Sequence, residues 1–401
     1  MNWGSYMIRT DKEVELLLAC SRPQVDSENA KRICALLKEE MDWAWIIKAA
    51  RTHGVMPLLY RHLKAACPGA VPPEIYLDLQ KVYLLNTKRN LIFAKELLGI
   101  IKALSEHGIE AVPFKGPALS LMAYGDITYR SFSDLDIMVH KDDVLPAKDI
   151  LISLGYKPQV CFTPRQERNI MENVCEYNFV RENPSILVEI HWRFHTDFYS
   201  VPASQGIWSR LESINLEGKQ IPSFSANDLV LVLSSHAARH EWTQIKYVSD
   251  FAGLISHRQI DWDKVVDSAD RMGLLRILHI NLLLAKDLLD AKLPLQMIDE
   301  IGRDRSAKEI ALKMSEKLFS DTNANGGSIE KYLFWPRTRE RLRDRVKYLF
   351  LVGFKPTQVD YDAFPLPDFL YPFYWIIRPV RLLCKYRVKK KNVTHQEGKT
   401  L

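Results

Sequence analysis

The 401-residue chain has six cysteines, Cys20, Cys34, Cys67, Cys161, Cys175 and Cys384, and no two of them form a CxxC pair. Scattered thiols in a chain of this length argue against a disulfide framework and for free cysteines in a reducing compartment. No run of about 18 apolar residues occurs, so no membrane-spanning helix is expected. The start, "MNWGSYMIRTDKEVELL", lacks the basic, apolar and small-residue sections of a secretory leader. These absences predict a cytoplasmic protein. Strong charge is missing as well: 55 Lys and Arg stand against 49 Asp and Glu, for a net charge of +6. That balance permits anionic partners such as nucleotides but does not mark a nucleic-acid binder. There are no internal repeats and no low-complexity tracts.

What is present is an ordinary globular composition, 47% hydrophobic and 26% charged. The length suffices for two or three domains and a substantial core. Helical periodicity fills residues 10–66, broken at Gly54 and Pro57, and a long helical pattern follows from Tyr76 to Gly108. The pattern then changes. "IEAVPF" is a short β-like run, and "KGPALSLMAYG" reads as a turn entering a helix with Pro117 at its start. "SDLDIMVH" reads as a strand, "KDDVLPAKDILISLGY" as a helix closed by Gly155, and "CEYNFVRE" and "SILVEIHWRF" as further strands. Helices return over 226–318, with Ser225 or Asn227 as a cap. "FSDTNANGGSIEKY" is a linker candidate before a charged helix, "RTRERLRDRVKYLF". The expected architecture is α+β. A small mixed β-sheet core at 91–224 lies between an N-terminal helical region, 1–90, and a helical domain, 225–318, that completes a cleft. Residues 319–401 are linker, charged helix and an aromatic, then basic, tail.

The strand "SDLDIMVH" carries Asp134 and Asp136 on one face, their Cα atoms roughly 6.6 Å apart. Two carboxylates converging to about 4 Å repel by roughly 4 kcal/mol at an effective dielectric near 20. A divalent cation between them relieves that repulsion, since Mg²⁺ takes one or two carboxylates together with phosphate oxygens and water. A two-metal phosphoryl-transfer site needs a third carboxylate. Glu189, alone among apolar residues in "ILVEIHW", supplies a candidate, and His191 two residues on shares its face. Upstream, Gly116 sits on a tight turn before a helix, a place where backbone N–H groups meet anions, with Lys115 beside it and Arg130 four residues before Asp134.

This ordered set resembles the nucleotidyltransferase superfamily of the DNA polymerase beta type, and more closely its uncharacterised bacterial nucleotidyltransferase family. The likeness rests on "KGPALSLMAYGDITYRSFSDLDIMV", "LVEIHWRF", "SHAARHEW", "VSDFAGLI" and "IDWDKV", with "HGVMPLLY" and "YWIIRPVRLL" toward the ends. It implies transfer of NMP from an NTP such as ATP to a hydroxyl-type acceptor on a small molecule, sugar or peptide, in natural-product or surface-polysaccharide biosynthesis. In that reading Asp134, Asp136 and Glu189 are catalytic and hold Mg²⁺ or Mn²⁺, while Lys115, Gly116, Arg130 and Ser133 bind the nucleotide. One departure stands out: the superfamily's Gly-Ser turn is replaced by Lys115-Gly116-Pro117, so the phosphate grip shifts toward Lys115, Arg130 and backbone amides. The competing class is a non-catalytic nucleotide-binding or regulatory protein on the same scaffold.

Histidines are the rival signal. His236 and His240 fall on one helical face, the spacing of a zinc pair, but Glu241 is misplaced for the H-E-x-x-H arrangement and no third ligand is evident. Contact with nucleotide or acceptor is the alternative for them and for His191; His195 follows His191 at the same spacing. Trp192, Trp242 and Trp262 read mainly as packing. The tail residues Arg378, Arg381, Lys385, Arg387 and Lys389 to Lys391 allow weak contact with an anionic membrane surface. No nucleic-acid partner is expected.

Overall fold

Helices α1 (Lys12–Ala19), α2 (Ser27–Leu36), α3 (Trp43–Thr52), α4 (Met56–Ala66) and α5 (Pro73–Glu106) precede the first strand in the computed structural model. It describes residues 12–160, 171, 174–194, 206–319, 334–364 and 366–384. Local chemistry starts these helices: the Asp26 and Asp42 side chains accept from the backbone N–H of Asn29 and Trp45, satisfying first-turn donors. In α1–α4 the apolar side chains Leu16, Leu17, Ile33, Ile46 and Leu59 are wholly buried. α5, 34 residues and roughly 51 Å long, continues across residue 90 and lies against the first strand.

The sheet is mixed. Strands β1 (Ala111–Pro113), β2 (Asp134–Val139), β3 (Lys157–Pro158), β4 (Glu176–Arg181) and β5 (Ile186–His191) lie in the order β1-β2-β5-β4-β3. Only β2 and β5 run parallel, and they pair Asp134 with Leu187, Asp136 with Glu189 and Met138 with His191. Helices α6 (Gly116–Tyr124) and α7 (Val144–Ser153) make the connections. The predicted strand-helix alternation is present, with two additions. β3 has only two residues, too short for a period. A separate hairpin, β6 (Glu212–Leu216) with β7 (Lys219–Ser223), turns at Glu217-Gly218, where both residues have positive φ. Two positive φ values are the two-residue hairpin geometry that Asn-Gly usually announces; Glu-Gly gives a weaker signal.

Helices α8 (Ala226–Arg239), α9 (Ile245–His257), α10 (Trp262–Met272), α11 (Leu275–Leu289), α12 (Leu295–Arg303) and α13 (Arg305–Leu318) follow, and Ser225 is the cap of α8, accepting from Asp228 N. α9 packs on α6 with almost no spacer: a Cβ on Gly253 would lie 2.6 Å from the Ala123 carbonyl oxygen. Trp242 is fully buried and its indole N–H donates to Asn281 Oδ1 at 3.0 Å, so it is a core residue. Trp192 is buried as well, donating to the Met171 carbonyl at 3.1 Å.

The described residues up to 319 form one compact unit, and those from 334 to 384 belong to a second. In the second, helix Leu342–Phe354 starts a few residues later than the charged run suggested, and Thr357 and Asp360 form a capping box for Gln358–Ala363. Arg378 and Arg381 are held by Asp360 at 2.7 and 2.6 Å. Two of the tail's basic groups are therefore ion-paired within the chain. Lys385 to Lys391 and most of the linker candidate lie outside the described residues, as does His195. No helix among the described residues is long and apolar enough to cross a membrane.

Candidate active site

β2 is buried from Leu135 to Val139, yet Asp136 is one of its inward residues and only 2% exposed. An isolated carboxylate there would be costly, and cations offset it. Lys115 Nζ sits 2.6 Å from Asp136 Oδ1, and His191 Nε2 lies 3.2 Å from the same oxygen and 3.3 Å from Glu189 Oε2. Burial opposes the charged form of Asp136, but the Lys115 ammonium and the His191 imidazole overcome it and hold the carboxyl well below its usual range. Asp134 behaves oppositely: burial and then the neighbouring Asp136 carboxylate push it above the ordinary value, with Lys115 pulling the other way. The register does the rest. Directly paired residues on adjacent strands share a face, so Glu189 stands beside Asp136, their Cα atoms about 4.8 Å apart.

Asp136, Glu189 and His191 bring ligand atoms within 4.8 Å of one another. Asp136 Oδ2 is buried without a hydrogen-bond partner among the described residues. An orphaned carboxylate oxygen beside Glu189, with Asp134 on the same face, is a donor set suited to a hard divalent cation.

Gly116 begins α6 in the left-handed region (φ 54°), and a Cβ there would stand 3.4 Å from the Asp134 carbonyl oxygen. Glycine is needed for the turn and for the approach to β2. Arg130 reaches back from the following loop. Its Nη1 donates to the Gly116 carbonyl at 3.3 Å, and its Nε lies 2.9 Å from both Asp250 oxygens. Tyr124 donates to the same Asp250 at 3.0 Å. The loop itself is held by α5: the Asn90 amide donates to the carbonyls of Ile127 and Arg130 at 2.6 and 2.8 Å, and the Asn86 amide to those of Thr128 and Arg130.

Between the sheet end and α8–α9 lies an open cleft of about 370 Å³. Of the residues singled out in the sequence, Lys115, Arg130, Ser133, Asp134, His236 and His240 line it, whereas Gly116, Asp136, Glu189 and His191 do not. Among its charged members, sequence reasoning missed four: Arg51, Arg89, Lys246 and Asp250. Lys115 and Arg130 are each ion-paired within the chain, whereas Arg51, Arg89 and Lys246 make no ion pair among the described residues. Burial, then the nearby Arg130, lowers the Lys246 ammonium below its ordinary range. A phosphate-sized anion would satisfy these groups. His236 and His240 pack ring to ring at 4.7 Å, with His240 stacked on Tyr247, and no third metal ligand joins them among the described residues.

A family model described as an uncharacterised nucleotidyltransferase matches residues 39–290, which is more than half of the chain. The chain belongs to this nucleotidyltransferase family. Among solved structures it is similar to an antigenic nucleotidyltransferase-like protein from Paracoccidioides brasiliensis. The two share 16% identity over 52% of this chain and 94% of that one, with a TM-score of 0.31. No curated protein matches. The matched stretch contains every residue that lines the cleft, from Arg51 to Asp250, as well as Glu189 and His191.

Proposed function

We propose that this nucleotidyltransferase moves a nucleoside monophosphate from an NTP to a hydroxyl-type acceptor on a small molecule, sugar or peptide, with Mg²⁺ or Mn²⁺ as cofactor. The observation that carries the reading is the register of β2 on β5, which sets Asp136 beside Glu189, two residues along the strand from Asp134, itself on the wall of a cleft lined by cations. Asp134, Asp136 and Glu189 would hold the dication. When bound, it supplies charge neutralisation on the triphosphate and Lewis-acid activation of the α-phosphorus.

The chain's own groups do the positioning. Lys115, Arg130, Arg89 and Lys246 meet phosphate oxygens, and Gly116 presents the start of α6 with no side chain in the way. With no hydroxyl after Gly116, these cations take over the grip that the Gly-Ser turn provides elsewhere in the superfamily. As the alternative to ligating metal, Glu189 takes the acceptor's proton, for which it must come within about 3 Å of the hydroxyl. The acceptor oxygen then bonds to the α-phosphorus as the α–β bridge breaks and pyrophosphate leaves. Most of the acceleration comes from orientation and preorganised charge.

The test has two stages. Thermal shift with each NTP plus Mg²⁺ or Mn²⁺ should raise the melting temperature, and mass spectrometry of acceptor mixtures should reveal an added nucleotide mass that Asp136→Asn abolishes. No shift with any NTP, together with an Asp136→Asn variant indistinguishable from wild type, would overturn the reading. The second reading, a nucleotide-binding regulatory protein, is favoured by the Lys115 ammonium seated on Asp136 at 2.6 Å. It predicts the thermal shift without transfer to any acceptor.

A further inference from the structure

His191 has two ring nitrogens, and the transfer reaction accounts for one side of the ring. Nε2 faces Asp136 and Glu189. Nδ1 faces the other way, 3.8 Å from Glu176 Oε2, and has no hydrogen-bond partner among the described residues although the side chain is 3% exposed. Cys175 completes the arrangement: its Sγ is 3.6 Å from the same Glu176 oxygen, and the residue is 2% exposed. Ligand atoms of Cys175, Glu176 and His191 all lie within 4.8 Å of one another.

We propose that Cys175, Glu176 and His191 Nδ1 form a second metal site, for a borderline dication of the zinc class, separate in ligand chemistry from the carboxylate site. Three lines support it. The donors are thiolate, imidazole and carboxylate, a mixed set that zinc accepts and magnesium does not. Bond lengths of about 2.3 Å to sulfur and about 2.0–2.2 Å to nitrogen and oxygen make tetrahedral edges of roughly 3.3–3.7 Å. The S–O and N–O separations of 3.6 and 3.8 Å are close to those edges before any ion is bound. Finally, an imidazole that binds metal through one nitrogen ordinarily directs its other N–H at a carboxylate. Here Nε2 lies 3.2 Å from Asp136 and 3.3 Å from Glu189, within reach of both carboxylates though not yet hydrogen-bonded to either.

The strand geometry explains the convergence. In the antiparallel register of β4 on β5, Glu176 is the direct partner of His191, and Cys175 immediately precedes it. Water takes the fourth position, as in zinc sites with three protein ligands. A metal on Nδ1 fixes the tautomer of His191 with its proton on Nε2, so the ring becomes a rigid prop for the two carboxylates. His191 is thus a positioning residue for Asp136 and Glu189.

The test does not depend on transferase activity. Metal-free protein is titrated with Co²⁺, and absorption is followed. The expected result is a thiolate-to-cobalt charge-transfer band that saturates at one equivalent, and that excess Zn²⁺ displaces and excess Mg²⁺ does not. Cys175→Ser should abolish the band, Cys34→Ser and Asp134→Asn should leave it intact, and Glu189→Gln should weaken cobalt binding about tenfold or more through the outer contact. Circular dichroism establishes that each variant is folded. A folded wild type that binds no cobalt, or a band that survives in Cys175→Ser, would overturn the proposal. Either result leaves NTP binding and transfer at the carboxylates to be judged by their own assays.

Discussion

Lys246 is a half-buried ammonium on the wall of the cleft, with Arg130 near it and no acid paired to it among the described residues. Its charge therefore contributes nothing to folding but suits a phosphate. Lys246→Ala is expected to leave thermal stability unchanged or slightly raised while weakening NTP binding by about tenfold or more, the value of a charge-assisted hydrogen bond of about 1.5–3 kcal/mol. Calorimetric titration with the NTP checks it. Arg130 is the opposite case. It and Asp250 are 11% and 5% exposed at the side chain, so Arg130→Met strands a buried carboxylate whose remaining hydrogen-bond partner among the described residues is Tyr124. The expected cost is about 3–5 kcal/mol in urea unfolding, and adding Asp250→Leu should recover most of it.

At the scale of elements, the contact between α6 and α9 sets the depth of the cleft. Gly253 meets the Ala123 backbone too closely for any Cβ, so Gly253→Ala must push the helices apart. Overpacking of this kind costs about 1–3 kcal/mol. Because Asp250 lies one turn earlier on α9 and anchors Arg130, the substitution is also expected to raise the KM for NTP. A Gly253→Ala variant with unchanged stability and KM would show that the helices slide freely.

This scale also shows what could be read from the chain alone. Asp134, Asp136 and Glu189 were legible because each interrupts an apolar strand run, a local pattern with a physical cost that demands a reason. Helices α5, α7 and α8 were legible from periodicity and caps. The pairing of Arg130 with Asp250 was not, since it spans 120 residues and depends on how α9 lies on α6. Arg51 and Lys246 were hidden for the same reason, each looking like an ordinary surface charge in its own helix. Asn86 and Asn90 did leave a signal: two poor helix formers four apart, which the loop carbonyls of residues 127–130 and the Ser131 hydroxyl put to use. Cys175 looked like one more scattered thiol because its relation to His191 exists only once β4 pairs with β5.

For the molecule as a whole, two buried histidines shape the response to acid. Burial lowers both His53 and His62 to about 4. His53 Nδ1 accepts from the Ile245 backbone N–H at 3.4 Å, which ties α3 to the start of α9 and requires the neutral ring. In the unfolded chain these groups take a proton near 6.5, so between pH 6.5 and 4 the unfolded state binds more protons than the folded one. Stability should therefore fall with decreasing pH across that window, by up to about 3 kcal/mol for each histidine by pH 4. Denaturant titrations at pH 7, 5.5 and 4.5 measure the slope, and His62→Leu should flatten it.

The pairing of Asp136 with Glu189 has one more consequence. Neighbours along a strand alternate sides, so sliding β5 by a single position would set Val188 or Ile190 beside Asp136 and send Glu189 to the opposite surface. Length changes between residues 186 and 191 are thus forbidden by geometry, while the hairpin turn at 217–218, which supplies nothing to the cleft, is free to drift. Any lineage that keeps the chemistry must keep that count.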